Sequence, residues 1–421
     1  MNKFLRWMDR SVAPKMDRIN QVVMIQTLKD SMMQILPLVL VGSLVTIFAI
    51  LQEYIPGMPD LYVLSNYTIG LVGLIIAFLI PFNYIERKKL HALRLVAGMT
   101  SVGMFAMVVH LDNAEIFEYS ALGAGGMFVA IIVGIIASIV FRLFCNFSFF
   151  GKDSQMPDFV RQWFDNMLPI LLLVGGSWVI TSLLGLDVFA LINQALSPLT
   201  TFAQTFWGFT ILYFLACFFY TMGISTWMLY SITFPIMLEA ITANSEAVAS
   251  GGPAANIFTS EVIYSGWLGI GGTGATLILC IMMLFAKSTR LKAIARASVF
   301  PGILNINEPI VFGAIAWNPL LMIPMWISGL ITPMVVYGWL SFGWAAIPNS
   351  VMQVWYMPFP VSTWIVSPSV GGLILLAVVI ALNFLIYYPF FKVYDTQQAK
   401  AERDELALES ESMEKSTSNV M

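Results

Sequence analysis

Nine long apolar segments constrain this chain more than any other feature of its sequence. Each is near the ~20 residues that an α-helix needs to cross the hydrocarbon core of a bilayer. They are continuous and do not alternate with polar residues, which argues against a β-barrel. The sequence therefore predicts an all-α polytopic membrane protein. The segments lie at about 31–52, 67–85, 95–111, 121–145, 166–186, 201–222, 262–286, 313–342 and 364–391.

Composition supports the same class. Of the 421 residues, 58% are apolar and 11% are charged, whereas an ordinary soluble domain has about 25% charged residues. So little polar surface excludes a cytoplasmic enzyme, a secreted disulfide scaffold, a disordered chain and a nucleic-acid binder. The three cysteines lie far apart in apolar runs, without metal-ligand or disulfide spacing. We therefore expect no metal and no cofactor.

The 21 lysines and arginines give the expected orientation. They fall into five clusters, and the loops 53–66 and 112–120 between the first three lack them. The clusters lie at 3–29, 87–94, 142–161, 287–296 and 392–415. By the positive-inside rule, the basic loops and both termini are cytoplasmic. The alternation is regular through five spans. It then fails, so 223–261 is expected to hold a short or discontinuous crossing and a loop.

A second break is expected at 297–312, where two prolines and a glycine exclude an ordinary spanning helix. Irregular backbone at membrane depth needs protein or a water-filled cavity to satisfy it. Two breaks in one half therefore mark the predicted binding site. The predicted divisions are a cytoplasmic amphipathic helix at 1–30, transmembrane halves at 31–200 and 201–391, and a cytoplasmic tail at 392–421.

The most informative polar run is Asn305-Ile306-Asn307-Glu308-Pro309, because Glu308 is the only Asp, Glu, Lys or Arg in 297–391. An ionised carboxylate inside a membrane costs several kcal/mol unless it is paired, solvated or protonated. A polyol would solvate it: Glu308 would accept hydrogen bonds from hydroxyls or act as a general base, and Asn305 and Asn307 would add donors and acceptors. A solvated cytoplasmic loop explains the same residues without a ligand.

Further candidates flank apolar segments. Ser225, Thr226 and Trp227 place hydroxyls beside an aromatic ring, which suits a sugar, although helix packing explains them too. Aromatic residues in the break at 355–364, with Thr363 and Trp364 among the candidates, suit sugar stacking or an interfacial belt. The run GIGGTGAT at 269–276 lacks the ending of a phosphate-binding loop and indicates close helix approach or an unwound helix.

With these motifs, the chain resembles Enzyme IIC of the bacterial phosphoenolpyruvate-dependent sugar phosphotransferase system, in its lactose/cellobiose/diacetylchitobiose branch. PGILNINEPIVFG at 301–313 carries the most specific likeness. The other matching runs are NP at 318–319, GGTGATL at 271–277, KSTRLKAIARAS at 287–298 and LIYYPFFKVYD at 385–395.

The resemblance implies a homodimer of ten-helix subunits in the bacterial cell membrane. Roughly the first half forms the dimer contact, and the second half holds the sugar between two re-entrant hairpins. A phosphocysteine of a separate IIB protein phosphorylates the sugar on its 6-hydroxyl. The Glu of the NEP run contacts the sugar near that hydroxyl, which implies a catalytic role for Glu308 with Asn307 beside it. The expected substrate is a β-linked disaccharide such as cellobiose, and the expected partners are the sugar, IIB, IIA and lipid.

Two departures from the family pattern leave an alternative open. The family usually has a GIHG-like run where this chain has Ser225 in place of the histidine, and serine cannot exchange a proton at neutral pH. The family often has PWTTPP where this chain has MPFPVST at 357–363. The alternative is a non-phosphorylating facilitator, sugar sensor or regulatory partner.

Overall fold

The computed structural model describes residues 18, 21–52, 62–109, 119–150 and 156–418. Within these ranges the secondary structure is helical and contains no strand, which confirms the predicted class of helical membrane protein. Most of the amphipathic helix predicted at the N-terminus lies outside the described residues.

We number the α-helices of six or more residues in chain order. Those of the first half are α1 (Val23–Gln52), α2 (Val72–Arg87), α3 (Arg94–Val109), α4 (Met127–Phe144), α5 (Asp158–Ile170) and α6 (Val188–Gln204). Those of the second half are α7 (Phe206–Thr221), α8 (Thr226–Ala249), α9 (Thr276–Leu284), α10 (Thr289–Ile303), α11 (Pro319–Ser341), α12 (Val361–Val366) and α13 (Val370–Ser418).

Shorter helical pieces extend or connect these helices. Among them, wide π-type turns prolong α5 and form two pieces beside the breaks of the second half. The short pieces are Tyr62–Asn66, Ile69–Leu71, His91–Leu93, Tyr119–Leu122, Ala124–Gly126, Leu171–Gly175, Gly176–Trp178, Val179–Leu183, Glu261–Gly266, Glu308–Ile310 and Val311–Ile315.

Six described helical segments are long and apolar enough to cross a membrane, or seven if the α6–α7 pair, bent by 85°, forms one span. The bend falls at Thr205, whose side chain caps α7 by accepting a hydrogen bond from the Gly208 N–H at 3.0 Å. The sequence predicts about ten crossings, and the full count stays a prediction. The six segments are Ile69–Arg87, His91–Val109, Ala124–Phe144, Asp158–Leu183, Pro319–Ser341 and Val370–Ala407.

The second half differs from the sequence-based expectation in two places. Helix α8 runs without interruption through Pro235, so the segment 223–261 is not broken at this proline, and a membrane crossing there stays a prediction. The apolar segment 262–286, in contrast, is not one helix. It divides into the turn Glu261–Gly266 and helix α9, with non-helical backbone between them. Mean hydropathy alone did not reveal that break.

Two apolar cores hold the helices together. One is built mainly from α1 to α4 and includes Tyr230 and Phe234 on one face of α8. The other is built from α7, α9 to α11 and α13, with Trp267 and Tyr387 fully buried. Helix α8 therefore packs on the first core while its N-terminus lies beside the breaks of the second half.

Tyrosines satisfy the backbone between the turn Glu261–Gly266 and α9. The Tyr213 hydroxyl donates to the Leu268 carbonyl at 2.7 Å and accepts from the Gly274 N–H at 3.0 Å. The Tyr387 hydroxyl donates to the Gly274 carbonyl at 2.7 Å. Buried non-helical backbone needs such partners. The interpretation of the glycine run as an unwound helix is thus confirmed.

Candidate substrate-binding site

A cavity of about 280 Å³ lies where the irregular segments of the second half meet. Its walls come from the N-terminus of α8, the turn Glu261–Gly266, the glycine run, the loop after α10 and the non-helical segment before α12. The lining residues are Thr226, Trp227, Tyr230, Tyr264, Gly269, Gly272, Thr273, Asn305, Ile306, Asn307, Glu308 and Trp355.

Asn307 joins its loop to the glycine run. Its Nδ2 donates to the Thr273 carbonyl at 2.9 Å and to the Thr276 hydroxyl at 3.0 Å, and its Oδ1 accepts from the Tyr220 hydroxyl at 3.1 Å. A primary amide has two donor hydrogens and two acceptor lone pairs. Asn307 therefore has one lone pair left for a ligand.

Gly272 makes this close approach possible. Its φ is +95°, and an added Cβ would lie 2.3 Å from Cγ of Asn307. Any side chain there would collide with the amide and would also strain the backbone. The glycine is thus required by both contact and conformation.

Asn305 links three segments in the same manner. Its backbone has φ 62°, a left-handed conformation that asparagine tolerates better than most residues. Its Oδ1 accepts from the Gly271 N–H at 2.9 Å, and its Nδ2 donates to the Trp355 and Met357 carbonyls at 2.6 and 2.9 Å. Like Asn307, it keeps a single lone pair for a ligand.

Glu308 contrasts with both asparagines. It begins the helical turn Glu308–Ile310, and its side chain is exposed to the cavity. Among the described residues, no hydrogen bond or ion pair engages its carboxylate. A carboxylate offers four acceptor sites to hydroxyl donors. The chain thus presents one unused anionic acceptor beside two asparagines whose donors are already used.

Aromatic rings form another part of the lining. The Trp227 ring centroid lies 5.2 Å from that of Tyr230 and 6.5 Å from that of Trp355, and Tyr230 lies 5.5 Å from Tyr264. Apolar walls with a few converging polar groups are typical of small-molecule sites. A sugar ring, with apolar faces and polar edges, matches this combination.

The structure brings together five of the eight predicted site residues. These line the cavity: Thr226, Trp227, Asn305, Asn307 and Glu308.

The other three lie outside the lining. The half-buried Ser225 caps α8, accepting from the Trp227 N–H at 3.4 Å. Thr363 is fully buried and donates to the Gly266 carbonyl at 2.7 Å. Trp364 is 47% exposed on α12. Their contact with substrate stays a prediction.

Sequence reasoning missed three aromatic residues as site residues. Trp355 lies in the break at 355–364, whose aromatic run suits either sugar stacking or an interfacial belt. Tyr230 and Tyr264 lie in apolar runs that indicate ordinary packing. Only the position of α8 against the turn Glu261–Gly266 reveals that these tyrosines share a wall.

Comparison with known proteins extends over nearly the whole chain. A family model described as "Phosphotransferase system, EIIC" matches residues 29–329. The lichenan permease IIC component of Bacillus subtilis (strain 168) is 28% identical, with 96% of each chain covered. The PTS system cellobiose-specific EIIC component of Geobacillus stearothermophilus is 27% identical, covering 97% of this chain and 98% of its own.

A solved structure shows the same architecture. It is the crystal structure of the IIC transporter from the N,N'-diacetylchitobiose-specific phosphotransferase system, with a TM-score of 0.85 and 25% sequence identity. The match covers 94% of this chain and 99% of that chain. The likeness therefore includes both the first half and the segments around the cavity.

Proposed function

Because this chain belongs to the phosphotransferase system EIIC family, we propose that it is a permease that binds a β-linked disaccharide, such as cellobiose, and carries it across the membrane. The family and the apolar helices make it a multi-pass membrane protein. The substrate class rests on the cavity and on the names of relatives that handle lichenan, cellobiose and N,N'-diacetylchitobiose.

The observation that carries this proposal is the unused carboxylate of Glu308 in a cavity with aromatic walls. Sugar hydroxyls donate to the carboxylate, and the sugar's apolar face lies on the indole and phenol rings. The remaining lone pairs of Asn305 and Asn307 accept from two further hydroxyls. A neutral apolar ligand would leave Glu308 desolvated without a donor, which is unfavourable.

We extend the proposal to phosphorylation by a separate IIB protein. The 6-hydroxyl oxygen of the sugar attacks phosphorus, the sulfur–phosphorus bond of the IIB phosphocysteine breaks, and the thiolate leaves. Glu308 orients the hydroxyl and takes its proton. Phosphoryl transfer depends more on positioning and charge stabilisation than on covalent help, and one general base suffices for the proton.

The assembly is part of the same proposal. Residues 31–200 form the contact of a homodimer, 201–391 carry the sugar, and both termini face the bacterial cytoplasm. Cross-linking of single cysteines in α1 to α4 tests the dimer. Labelling of a cysteine in the tail from either side of the membrane tests the orientation.

Ser225 favours a second candidate function, a non-phosphorylating facilitator, sensor or regulatory partner. The side chain at this position caps a helix, and a serine hydroxyl does not exchange a proton at neutral pH. In this alternative, sugar crosses the membrane or is bound without being phosphorylated.

Transport into vesicles that contain phosphorylated IIB separates the two functions. Accumulation of sugar phosphate supports the phosphorylating permease, and free sugar inside supports the facilitator. Glu308→Gln keeps the size of the side chain but removes the general base, so we expect it to abolish phosphorylating uptake. Full uptake by this variant would contradict the role of Glu308.

A further inference from the structure

Glu261 is a fully buried carboxylate that does not line the cavity. Its exposed fraction is 0%, and it begins the turn Glu261–Gly266. Among the described residues it forms no ion pair. A carboxylate buried without a cation is costly unless hydrogen bonds compensate. An apolar side chain would fill the same space at a lower desolvation cost. We therefore look to the hydrogen bonds of Glu261 for the role of its carboxylate.

Those bonds join two separate parts of the chain. Oε1 of Glu261 accepts from the Met352 N–H at 3.0 Å and from Nε2 of Gln353 at 3.1 Å. Oε2 accepts from the Ser260 hydroxyl at 3.2 Å, and that hydroxyl in turn accepts from Nε2 of Gln353. The carboxylate thus connects the turn to the non-helical segment that precedes α12.

Each of these parts supplies an aromatic wall of the cavity. Tyr264 lies three residues after Glu261 in the turn, and Trp355 lies two residues after Gln353. The Trp355 carbonyl also accepts from Nδ2 of Asn305 at 2.6 Å. The chain around Trp355 is therefore held from two sides, by Asn305 at the cavity and by Glu261 behind it.

We propose that Glu261 is a positioning residue for the sugar site, whose carboxylate fixes the placement of Trp355 relative to Tyr264. The proposal deepens the proposed function and rests on it for the identity of the ligand. Glu261 acts through the segment it holds and does not touch the sugar.

Variants of Glu261 distinguish the effect of side-chain length from the effect of charge. Glu261→Ala removes all three accepted bonds. Glu261→Asp keeps the charge, but its side chain is one methylene shorter, so its carboxylate cannot reach Met352 and Ser260 together. This variant replaces Glu261→Ala in the experiment if the alanine variant does not fold. Glu261→Gln keeps the length and one oxygen for Met352. Ser328→Ala, which removes a buried hydrogen bond to Asn383 between α11 and α13, controls for loss of a buried polar contact elsewhere.

The first readout needs no ligand. The protein is labelled with 5-fluorotryptophan, and the Trp355 resonance in the ¹⁹F NMR spectrum is identified by its loss in Trp355→Phe. We expect this resonance to shift and broaden in Glu261→Ala and Glu261→Asp, and to stay as in the wild type in Glu261→Gln and Ser328→Ala. An unchanged resonance in the alanine or aspartate variant, or equal broadening in Ser328→Ala, overturns the proposal.

The second readout is cellobiose affinity by calorimetry in detergent. We expect Glu261→Ala and Glu261→Asp to weaken binding about tenfold or more, because the hydrogen bonds that hold the segment of Trp355 in place are lost. Glu261→Gln should stay within about threefold, and equal affinity in all variants contradicts the proposal. If the wild type binds no cellobiose, the proposed substrate fails, while the Trp355 resonance still decides the role of Glu261.

Discussion

Asp395 and Glu402 lie seven residues apart on α13, and both bind the N-terminus of α10. Asp395 accepts from the backbone N–H groups of Lys287 and Ser288 at 2.8 to 2.9 Å. Glu402 accepts from the next two N–H groups, at 2.8 and 2.9 Å, and from the Ser288 hydroxyl. The first N–H groups of a helix lack intrahelical partners and attract negative charge. Because α10 leads directly into the loop of Asn305 and Asn307, α13 holds the site from the far end of that helix.

Replacement of Asp395 tests this relationship. Asp395 is 7% exposed, so Asp395→Ala leaves the buried N–H of Ser288 and the partly buried N–H of Lys287 without an acceptor, at a cost of about 1–3 kcal/mol. We expect a lower melting temperature in detergent. Glu405→Ala, on the same helix and exposed, is the control. Equal melting of the two variants would show that the Asp395 contacts contribute nothing to stability.

A pair of glycine variants isolates the contact between the glycine run and Asn307. Gly272 and Gly251 both have positive φ, but an added Cβ meets Asn307 at 2.3 Å in the first case and nothing within 4 Å in the second. Gly251→Ala therefore carries only the backbone penalty of about 1–2 kcal/mol. Gly272→Ala adds a steric clash, so it should lower the melting temperature further and abolish sugar binding. Similar behaviour of the two variants would show that the close approach of Gly272 to Asn307 does not constrain the site.

Loss of the Nδ2 donors of Asn307 should destabilise the protein more than loss of the Tyr220 hydroxyl that donates to its Oδ1. Tyr220→Phe removes one neutral hydrogen bond and should destabilise by about 1 kcal/mol. Asn307→Asp removes both donors and turns a carboxylate toward the Thr273 carbonyl, so we expect a loss of about 3 kcal/mol or more. Thermal unfolding measures both. The prediction fails if the aspartate variant is the more stable of the two.

Trp355 should contribute to affinity through its ring. Trp355→Ala removes a wall of the cavity, and we expect sugar binding to weaken about tenfold, or ~1.4 kcal/mol. Trp355→Phe keeps an aromatic face and should retain part of the affinity. Trp207→Ala, at a position 59% exposed and outside the cavity, is the matched control for loss of a tryptophan. Equal sugar affinity in the wild type, Trp355→Phe and Trp355→Ala would show that Trp355 does not contact the sugar.

Ser225→His restores the residue type that the family usually has. The serine cap accepts a long bond of 3.4 Å, so its loss should cost no more than about 1 kcal/mol. If the serine limits proton exchange, phosphorylating uptake should rise and acquire a pH dependence near the histidine pKa of about 6.5. Uptake that is unchanged at every pH would show that this position takes no part in proton exchange.

The sequence predicted the membrane class, the break before Glu308 and a polar site around the run Asn305–Glu308. These predictions rest on local sequence signals, namely the length of the apolar segments, the prolines and an isolated carboxylate. It did not predict that α8 is continuous, because a proline such as Pro235 is tolerated where surrounding helices supply packing. It failed at 262–286, because the partners that satisfy the unwound backbone, Tyr213 and Tyr387, are distant in sequence.

The roles of the two asparagines show a second limit. From sequence, Asn305 and Asn307 are polar groups offered to a ligand. In the structure, their donors are used by neighbouring segments, and pairing between distant segments cannot be read from spacing. The same holds for Glu261, which has no motif around it and whose partner segment begins 91 residues later.

The engagement of both asparagines has a consequence for redesign of selectivity. Each amide retains only an acceptor lone pair, so under the proposed function we expect these positions to accept from a sugar hydroxyl and to reject an analogue methylated on that oxygen. Substituting either asparagine to admit a new sugar would also break the hydrogen bonds that join its loop to the neighbouring segments. We expect selectivity to change more readily at Trp227, Tyr264 and Trp355, which line the cavity with their rings.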